Sequence, residues 1–255
     1  DNISCNTSLN GMSSITYSVW IKPQASSGNY GYIISAGDYQ SNERLLSVGV
    51  RQSNRKIIVY GGHSAGGIID LNFTVTYGTW YHVAIVYTNN QDVDLYVNGN
   101  AEDSIQFSNT TSIASGTATR IGAYSGTISN YFNGIISNVS IWNVGLTQTQ
   151  IREIYSEGVP QNLNNHSAYS NLVNWWQLGS NSSFNTNWTV LNEISTGSNG
   201  TAYNMTEDDI VDGVGSYANG LGTSGLEIVG SAFGSTANAL SVNMDALDRV
   251  EDTPT

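Results

Sequence analysis

The sequence predicts an all-β protein made of antiparallel strands, either a sandwich or a barrel. Short apolar segments recur at regular intervals, and Gly, Ser, Thr and Asn separate them. Several segments alternate between apolar and polar residues, which is the pattern of a strand with one buried face. Charged residues make up only 11% of the chain, less than half of the usual share of about 25%. Many short strands joined by turn residues are typical of sandwiches and barrels.

The predicted strands follow from their apolar residues and from the turns that end them. Residues 15–22 are apolar at every second position, and a proline ends that strand. Residues 80–87 are apolar on both faces, which indicates a central strand. Residues 93–97 end at Asn98-Gly99, the strongest short hairpin signal because both residues accept a positive φ. The other strands are predicted at residues 32–36, 45–50, 56–60, 118–122 and 135–142.

One short helix is predicted after the last of these strands. Thr147 and Gln150 have the spacing of a capping box, in which the hydroxyl accepts from the third amide and the glutamine reaches back. Ile151 and Ile154 then fall on one face, and Gly158 ends the helix. We expect this helix to pack on the end of the sandwich.

Blocks of sequence within residues 1–160 resemble a known family. The first two core strands and the hairpin of that family are matched by residues 17–23 (YSVWIKP), 33–38 (IISAGD), 80–84 (WYHVA) and 95–99 (LYVNG). The later blocks are 120–122 (RIG), 131–136 (YFNGII), 139–143 (VSIWN) and the helix at 146–155. In this order the blocks resemble a laminin-G-like domain of the concanavalin A-like lectin and glucanase type. The resemblance implies an antiparallel two-sheet jelly-roll sandwich over residues 1–160.

Residues 161–255 are predicted to form an extended C-terminal appendage to this domain. Residues 172–200 begin with one more apolar strand, so we expect them to pack back on the sandwich. Residues 201–255 are predicted to be an acidic interaction arm, because residues 193–255 hold ten acidic side chains and only one basic residue, Arg249. Two alternatives stay open. The arm adds strands to a neighbouring subunit by edge pairing, or it completes the sandwich of its own chain.

The composition argues against several classes of partner. The net charge of −12 disfavours nucleic acid and anionic membranes. No apolar run approaches the ~18 residues of a membrane span, and no signal-peptide pattern is visible. Cys5 is the single cysteine, so a disulfide within the chain is excluded and stability must come from packing, a metal or assembly. Because the chain starts within a strand pattern, we expect residues to precede Asp1.

Three tyrosines are candidates for a carbohydrate-binding site. Sugar recognition uses aromatic faces for affinity and nearby polar groups for orientation. Tyr30, Tyr39 and Tyr124 lie near loops rich in Gly, Ser and Asn, and we predict that they contact a glycan. Tyr32 and Tyr131 occupy similar positions, but we expect them to be residues at the rim of the core.

Calcium is the candidate cofactor, and it is implied by the resemblance. Laminin-G-like domains often hold Ca²⁺ at a rim through carboxylates, amides and carbonyl oxygens, the oxygen ligands that this ion prefers. Asp1 and Asp38 are the implied ligands, because they lie in blocks where the family often has acidic residues. Asp38 can equally cap a turn. This chain also has Ser137-Asn138 where many relatives carry two carboxylates, which weakens the prediction.

The acidic residues do not have the arrangement of a glycosidase site. Glycoside hydrolysis usually needs two carboxylates that face one another across the sugar. The candidate pairs are Asp92 with Asp94 and Glu102 with Asp103, which lie next to hairpin turns and have the pattern of solvated carboxylates. The three histidines are scattered and lack metal-ligand spacing. We therefore predict no enzyme activity.

The function predicted from the sequence is that of a non-catalytic virion surface protein, a decoration or appendage protein whose lectin-like sandwich binds glycans. The viral element comes from residues 172–179, 195–205 and 238–245, which resemble the endings of jelly-roll proteins from marine bacteriophages and environmental viruses. A sandwich without disulfides also suits assembly in a reducing cytoplasm. The expected partners are other structural subunits and cell-surface glycans. The alternatives are an extracellular carbohydrate-binding module or a polysaccharide-degrading enzyme of the same fold.

Overall fold

The chain folds into two antiparallel sheets with one short helix, as seen in a computed structural model. The residues that the structure describes are 1–37, 46–61, 67–89, 91–108, 119–179, 181–212 and 224–228. Strands dominate throughout these segments, which confirms the predicted all-β sandwich of the jelly-roll class.

Seventeen strands and one α-helix occur in the described residues. The strands are β1 (Asn2–Cys5), β2 (Ile15–Pro23), β3 (Tyr30–Ala36), β4 (Leu46–Arg51), β5 (Lys56–Tyr60), β6 (Ile68–Thr74), β7 (Tyr81–Thr88), β8 (Asp92–Val97), β9 (Asn100–Gln106), β10 (Thr119–Ile121), β11 (Gly134–Trp142), β12 (Leu172–Trp176), β13 (Ser183–Asn185), β14 (Asn187–Val190), β15 (Gly200–Tyr203), β16 (Ile210–Asp212) and β17 (Ser224–Ile228). The helix α1 is Gln148–Tyr155, and short 3₁₀ turns lie at Ser156–Gly158, Leu163–Asn165, Tyr169–Asn171 and Glu207–Asp209.

The strands form two sheets. The first sheet has the order β13-β14-β15-β1-β10-β3-β4-β5-β6, and the second has the order β16-β17-β11-β2-β7-β8-β9, with β12 also paired to β11. Every strand pair in the described residues is antiparallel. The predicted Asn98-Gly99 turn joins β8 to β9, with φ of 49° and 76° at its two residues. Positive φ at both positions matches the twist of a tight hairpin.

The core lies between the two sheets and is filled by alternate residues of their strands. Val19 and Ile21 of β2, with Val83 and Ile85 of β7, point inward from the second sheet and are almost fully buried. They belong to the same apolar cluster as Ile34 of the first sheet. Full burial of each such side chain stabilises the fold by about 1.5–3 kcal/mol. The alternation visible in the sequence therefore sets which face of each strand is buried.

The sheets do not end at the predicted domain boundary of residue 160. The strand β12 pairs with β11 in the second sheet, with Val139 opposite Trp176. In the first sheet β15 pairs with β1, with Ile3 opposite Ala202. Trp176 is fully buried in the main core, and its indole N–H donates to the carbonyl of Ser198 at 3.2 Å. Residues 172–203 thus supply strands to both sheets.

The segment predicted to be an acidic arm also begins inside the sandwich. Met205 is buried in the main core, and the indole N–H of Trp188 donates to the carbonyl of Thr206 at 2.6 Å. The strand β16 pairs with β17, which in turn pairs with β11. Residues 201–212 are therefore intradomain. The rest of the predicted arm, apart from β17, lies at 213–223 and 229–255, outside the described residues.

The helix α1 has the predicted capping box but packs on the outer face of the second sheet instead of its end. The Thr147 hydroxyl accepts from the amide of Gln150 at 3.3 Å, and the Gln150 side chain accepts from the amide of Thr147 at 2.9 Å. Ile151 and Ile154 are buried in a cluster that includes Val86, an outward-facing residue of β7. The apolar face of the helix thus covers a second, smaller core.

His82 is a structural residue under this helix. Its ring packs against both Trp20 and Tyr155, with centroid distances of 5.2 Å and 6.0 Å, and those two rings also stack on each other at 5.7 Å. Its Nε2 is 2.8 Å from the hydroxyl oxygen of Ser18. Full burial lowers the pKa of His82 to about 3, so the imidazole is neutral at ordinary pH.

If residues after 160 complete the core, replacing Trp176 must weaken the whole fold. Removal of a buried Trp side chain leaves a cavity, so Trp176→Ala is expected to lower the free energy of unfolding by about 3–5 kcal/mol. Urea denaturation followed by circular dichroism measures this. Leu191→Ala, at a residue that is 39% exposed, is the control and should change it by less than about 0.5 kcal/mol. A similar small change in Trp176→Ala, or a separate early transition, would contradict the shared core.

Candidate functional site

An irregular step in β3 places two tyrosines on the outer face of the first sheet. The pairing of β3 with β4 shifts register between Tyr32 and Ile34, as in a β-bulge. As a result Ile33 and Ile34 both lie in the main core, although they are consecutive. Tyr30 and Tyr32 belong to a separate aromatic cluster outside that core.

A glycine is required on β4, opposite the register shift in β3. A Cβ atom on Gly49, the partner of Tyr32 in β4, would lie 2.6 Å from the carbonyl oxygen of Gly31 and 3.1 Å from the Cα of Tyr32. Real Cβ atoms do not approach backbone atoms this closely. The absence of a side chain at Gly49 therefore lets the two strands keep the shifted register.

The outward tyrosines line a cavity, which we call the tyrosine cleft. Its volume is about 430 Å³, within the range of small-ligand sites of roughly 300–1,000 Å³. The described residues that line it are Tyr30, Tyr32, Arg51, Tyr60, Gly67, Ile68, Tyr124 and Asn130.

Tyr124 comes from the loop between β10 and β11, and it covers the sheet at this point. Its ring centroid lies 5.2 Å from that of Tyr32 and 6.1 Å from that of Tyr60. The loop is fixed by backbone hydrogen bonds, because the amide of Tyr124 donates to Ser129 at 2.8 Å and the amide of Tyr32 donates to Asn130 at 2.9 Å. The aromatic wall is therefore held by main-chain bonds on both sides.

Arg51 connects this wall to an acidic residue of β6. Its Nη1 donates to the hydroxyl of Tyr30 at 2.9 Å, and its Nε donates to Oδ1 of Asp70 at 2.5 Å. The other oxygen of Asp70 accepts from the side-chain amide of Asn54 at 2.7 Å. The guanidinium also lies 4.9 Å from the centre of the Tyr30 ring. The charge of Arg51 is thus paired before any ligand arrives.

Two ionisable groups of the cleft and its network, Asp70 and Tyr32, have shifted pKa values. Partial burial acts to raise the pKa of Asp70, but the hydrogen bonds from Arg51 and Asn54 outweigh it and lower that pKa overall. Burial raises the pKa of Tyr32, and the neighbouring Tyr60 and Tyr30 phenols raise it further. The cleft and its network therefore contain phenol hydroxyls, one side-chain amide and one internally balanced ion pair.

Comparison with known proteins assigns the family. Residues 1–152 match the family described as the concanavalin A-like lectin/glucanases superfamily. The chain belongs to this superfamily. The family region covers more than half of the concanavalin A-like chain, and every described lining residue of the cleft lies within it. No curated protein sequence matches the chain.

Two solved structures share the fold. One is a protein from Bacteroides ovatus that is considered a carbohydrate-binding protein, with 18% identity and a TM-score of 0.59 over 79% of this chain and 55% of that one. The other is the heptameric SAP-like pentraxin from Limulus polyphemus, with 22% identity and a TM-score of 0.50 over 60% of this chain and 75% of that one. The concanavalin A-like chain thus spans about half the length of the Bacteroides protein. At these identities the likeness concerns the fold.

Of the three predicted sugar-binding tyrosines, the structure brings Tyr30 and Tyr124 into the same cleft. Tyr39 lies outside the described residues. Tyr32, expected at the rim of the core, is 2% exposed and lines the cleft as well. Tyr124 is also buried, at 6% exposed, so little of its surface is open to a ligand.

The sequence analysis missed Arg51, Tyr60 and Asn130. A signal existed for the first two, because each ends a strand whose alternate residues are core residues. Because successive side chains of a strand point to opposite faces, Arg51 and Tyr60, which follow the core residues Val50 and Val59, lie on the outer face. No comparable pattern points to Asn130, which is positioned by its loop.

The described residues do not bring the two predicted calcium ligands, Asp1 and Asp38, together. Asp1 precedes β1, whereas Asp38 lies outside the described residues. In the first sheet β1 and β3 run in the same direction, since both pair antiparallel with β10. The Asp1 end of β1 is therefore opposite to the Ala36 end of β3. No group of three or more His, Cys, Asp or Glu that could hold a metal occurs in the segments that the structure describes. The calcium site stays a prediction.

The acidic pairs considered for catalysis lie on the second sheet and not in the cleft. Asp92 and Asp94 are on β8, and Glu102 and Asp103 are on β9. Asp92 accepts from the side-chain amide of Gln106 at 2.6 Å. Asp103 accepts from the backbone amides of Asn72 and Ser104. They act as hairpin and edge residues of this concanavalin A-like domain. Among the described residues, no helix is long and apolar enough to cross a membrane.

Gly49 provides a direct test of how the cleft is built. Gly49→Ala places a Cβ against the Gly31 carbonyl, so it is expected to lower the free energy of unfolding by about 1–3 kcal/mol. Gly28→Ala is the matched control, because its nearest neighbours would be 3.7 Å away. Urea denaturation of both variants measures the difference. Equal stability of the two variants would show that the shifted register does not depend on Gly49.

Proposed function

We propose that this chain is a non-catalytic carbohydrate-binding domain that holds an uncharged glycan in the tyrosine cleft. One observation supports this most strongly. Tyr30, Tyr60 and Tyr124 converge with Arg51 and Asn130 on one cavity of the outer sheet face. Aromatic rings beside a few fixed hydrogen-bonding groups are the combination that sugar recognition uses.

The residues of the cleft supply both parts of a sugar contact. The half-buried Tyr30 ring can contact the C–H groups of a pyranose or furanose ring, and the buried Tyr124 ring backs it in the wall of the cleft. The phenol hydroxyls and the Asn130 amide provide donors and acceptors for sugar hydroxyls. Because main-chain bonds hold this wall, little ordering is needed when a ligand binds.

The electrostatics favour neutral sugars over acidic ones. Arg51 is the only cation among the described lining residues, and it is already hydrogen-bonded to Asp70. A uronate or sialic acid would have to compete with that carboxylate. The net charge of −12 also repels anionic polysaccharides.

A hydrolase is the competing function, and the geometry of the cleft supports it less well. Glycoside hydrolysis usually uses two carboxylates across the scissile bond. The described lining residues include no carboxylate and no histidine. Asp70, the nearest acid in the network, is held by Arg51 and Asn54. The fold shared with the carbohydrate-binding Bacteroides protein adds support for a binding role.

We further propose that the protein is displayed on a virion, in an assembly with other structural subunits. It is supported by the resemblance of the chain ending to viral jelly-roll proteins and by a sandwich that needs no disulfide. The single Cys5 is fully buried, and burial raises the pKa of its thiol, which disfavours the reactive thiolate form. An extracellular carbohydrate-binding module is the alternative location. A search for this chain in purified particles by mass spectrometry distinguishes the two.

Binding to a glycan array followed by calorimetry tests the cleft. We expect neutral oligosaccharides to bind and sialylated or uronate-containing ones to bind more weakly. Tyr30→Ala should weaken the best neutral ligand about three- to tenfold, because the aromatic contact is lost. The control is Tyr203→Ala, an exposed tyrosine of β15 that does not line the cleft. Equal affinities of the two variants, with both folded by circular dichroism, would exclude the tyrosine cleft as the binding site.

A further inference from the structure

The carboxylate of Asp70 lies next to the charged group of the tyrosine cleft without being part of its lining. Asp70 is on the edge strand β6, opposite Ile58 of β5, and it is not among the described lining residues. Its Oδ1 accepts from Nε of Arg51, which does line the cleft. Asp70 is therefore one guanidinium group away from the space that a ligand would occupy.

This carboxylate is held in place from two sides. Nδ2 of Asn54 donates to Oδ2 of Asp70 at 2.7 Å, and Oδ1 of Asn54 accepts from the backbone amide of Lys56 at 3.1 Å. The bond to Lys56 fixes the direction in which the Asn54 amide group faces. Both oxygens of Asp70 are thus engaged, one by Arg51 and the other by Asn54. Asp70 cannot turn away from an arriving ligand without losing both hydrogen bonds.

Arg51 keeps donors for a ligand in spite of these contacts. A guanidinium has five N–H donors, and the bonds to Asp70 and to the Tyr30 hydroxyl use two of them. Guanidinium groups bind carboxylates well, because paired N–H groups match the two oxygens. Without a compensating charge, Arg51 would therefore favour the carboxylate of a sugar acid. Asp70 supplies that compensating charge, and it would repel a second carboxylate on the same guanidinium.

We infer that Asp70 is the residue that determines the charge specificity of the tyrosine cleft, because it occupies Arg51 and thereby disfavours acidic sugars. The inference rests on the proposed function, since it concerns the choice between ligands of the same cleft. Specificity often depends on a group that disfavours the wrong ligand as well as on groups that bind the right one. The ion pair is partly exposed, so it contributes little to the stability of the fold. A change at Asp70 should therefore be visible in binding.

Removal of the Asp70 charge should open the cleft to sugar acids. Asp70→Asn keeps the size of the side chain and an acceptor oxygen for Arg51, but it leaves the guanidinium charge uncompensated. The probes are methyl β-glucopyranoside and methyl β-glucuronide, which differ only in a hydroxymethyl against a carboxylate group. NMR titration of the full chain, followed at the side-chain amide of the lining residue Asn130, measures both affinities. We expect Asp70→Asn to bind the glucuronide about five- to tenfold more tightly than the wild-type chain does.

Three further variants separate this effect from a change in overall charge. Asp70→Ser removes the same carboxylate and should show the same gain. Asp94→Asn makes the same change in net charge on β8 of the second sheet, and it should bind the glucuronide as the wild-type chain does. The double variant Arg51→Gln with Asp70→Asn lacks the cation and should lose the gain. Circular dichroism checks that each variant is folded.

Each outcome decides the role of Asp70. A glucuronide affinity that rises in the Asp70 variants and depends on Arg51 supports the inference. Equal glucuronide affinities of Asp70→Asn and Asp94→Asn, including no binding by either, would overturn it, as would a gain that persists in the double variant.

The glucoside reports separately on the proposed function. Saturable glucoside binding to the wild-type chain, without a glucuronide gain in Asp70→Asn, refutes only the role of Asp70. A glucuronide gain without any glucoside binding supports the role of Asp70 and refutes the preference of the cleft for neutral sugars.

Discussion

The register shift in β3 is the constraint on which the candidate site depends. In a regular strand, side chains alternate between faces, so Ile34 would point outward with Tyr32. The shift sends Ile33 and Ile34 into the core together and keeps Tyr30 and Tyr32 on the outer face. One local irregularity thereby buries both isoleucines in the apolar core and leaves the tyrosines to form an aromatic surface on the outer face.

The rest of the cleft is assembled on this surface by elements that are distant in sequence. Arg51 follows from the register of β4, and its ion pair with Asp70 joins the cleft to the edge strand β6. Tyr124 is supplied by the loop between β10 and β11, which is bonded to β3. Beneath them the sandwich is completed by the C-terminal strands, since β12 and β15 extend opposite sheets. The candidate site therefore relies on a core to which residues well beyond 160 contribute.

The sequence predicted the parts of this protein that local pattern controls. The strands β2, β7 and β8 have strong apolar periodicity or clear turn signals, and Thr147 with Gln150 marks the helix start. The strands β13 to β16 are only three or four residues long, and β13 and β14 join the first sheet through β15, which pairs with the distant strand β1. Segments this short carry little local signal. Tyr30 and Tyr124 were predicted from the loops near them, and both line the cleft. Arg51 and Tyr60 depend on strand register, and Asn130 depends on long-range contacts.

A crystal structure of the chain with its best-binding neutral oligosaccharide tests the proposed role of the tyrosine cleft. We expect a sugar ring in the cleft in contact with Tyr30, hydroxyl groups bonded to Asn130 or to the phenols, and an intact ion pair of Arg51 and Asp70. A saccharide bound elsewhere on the sandwich while the cleft holds only solvent would contradict it, as would a sugar acid that displaces Asp70 from Arg51.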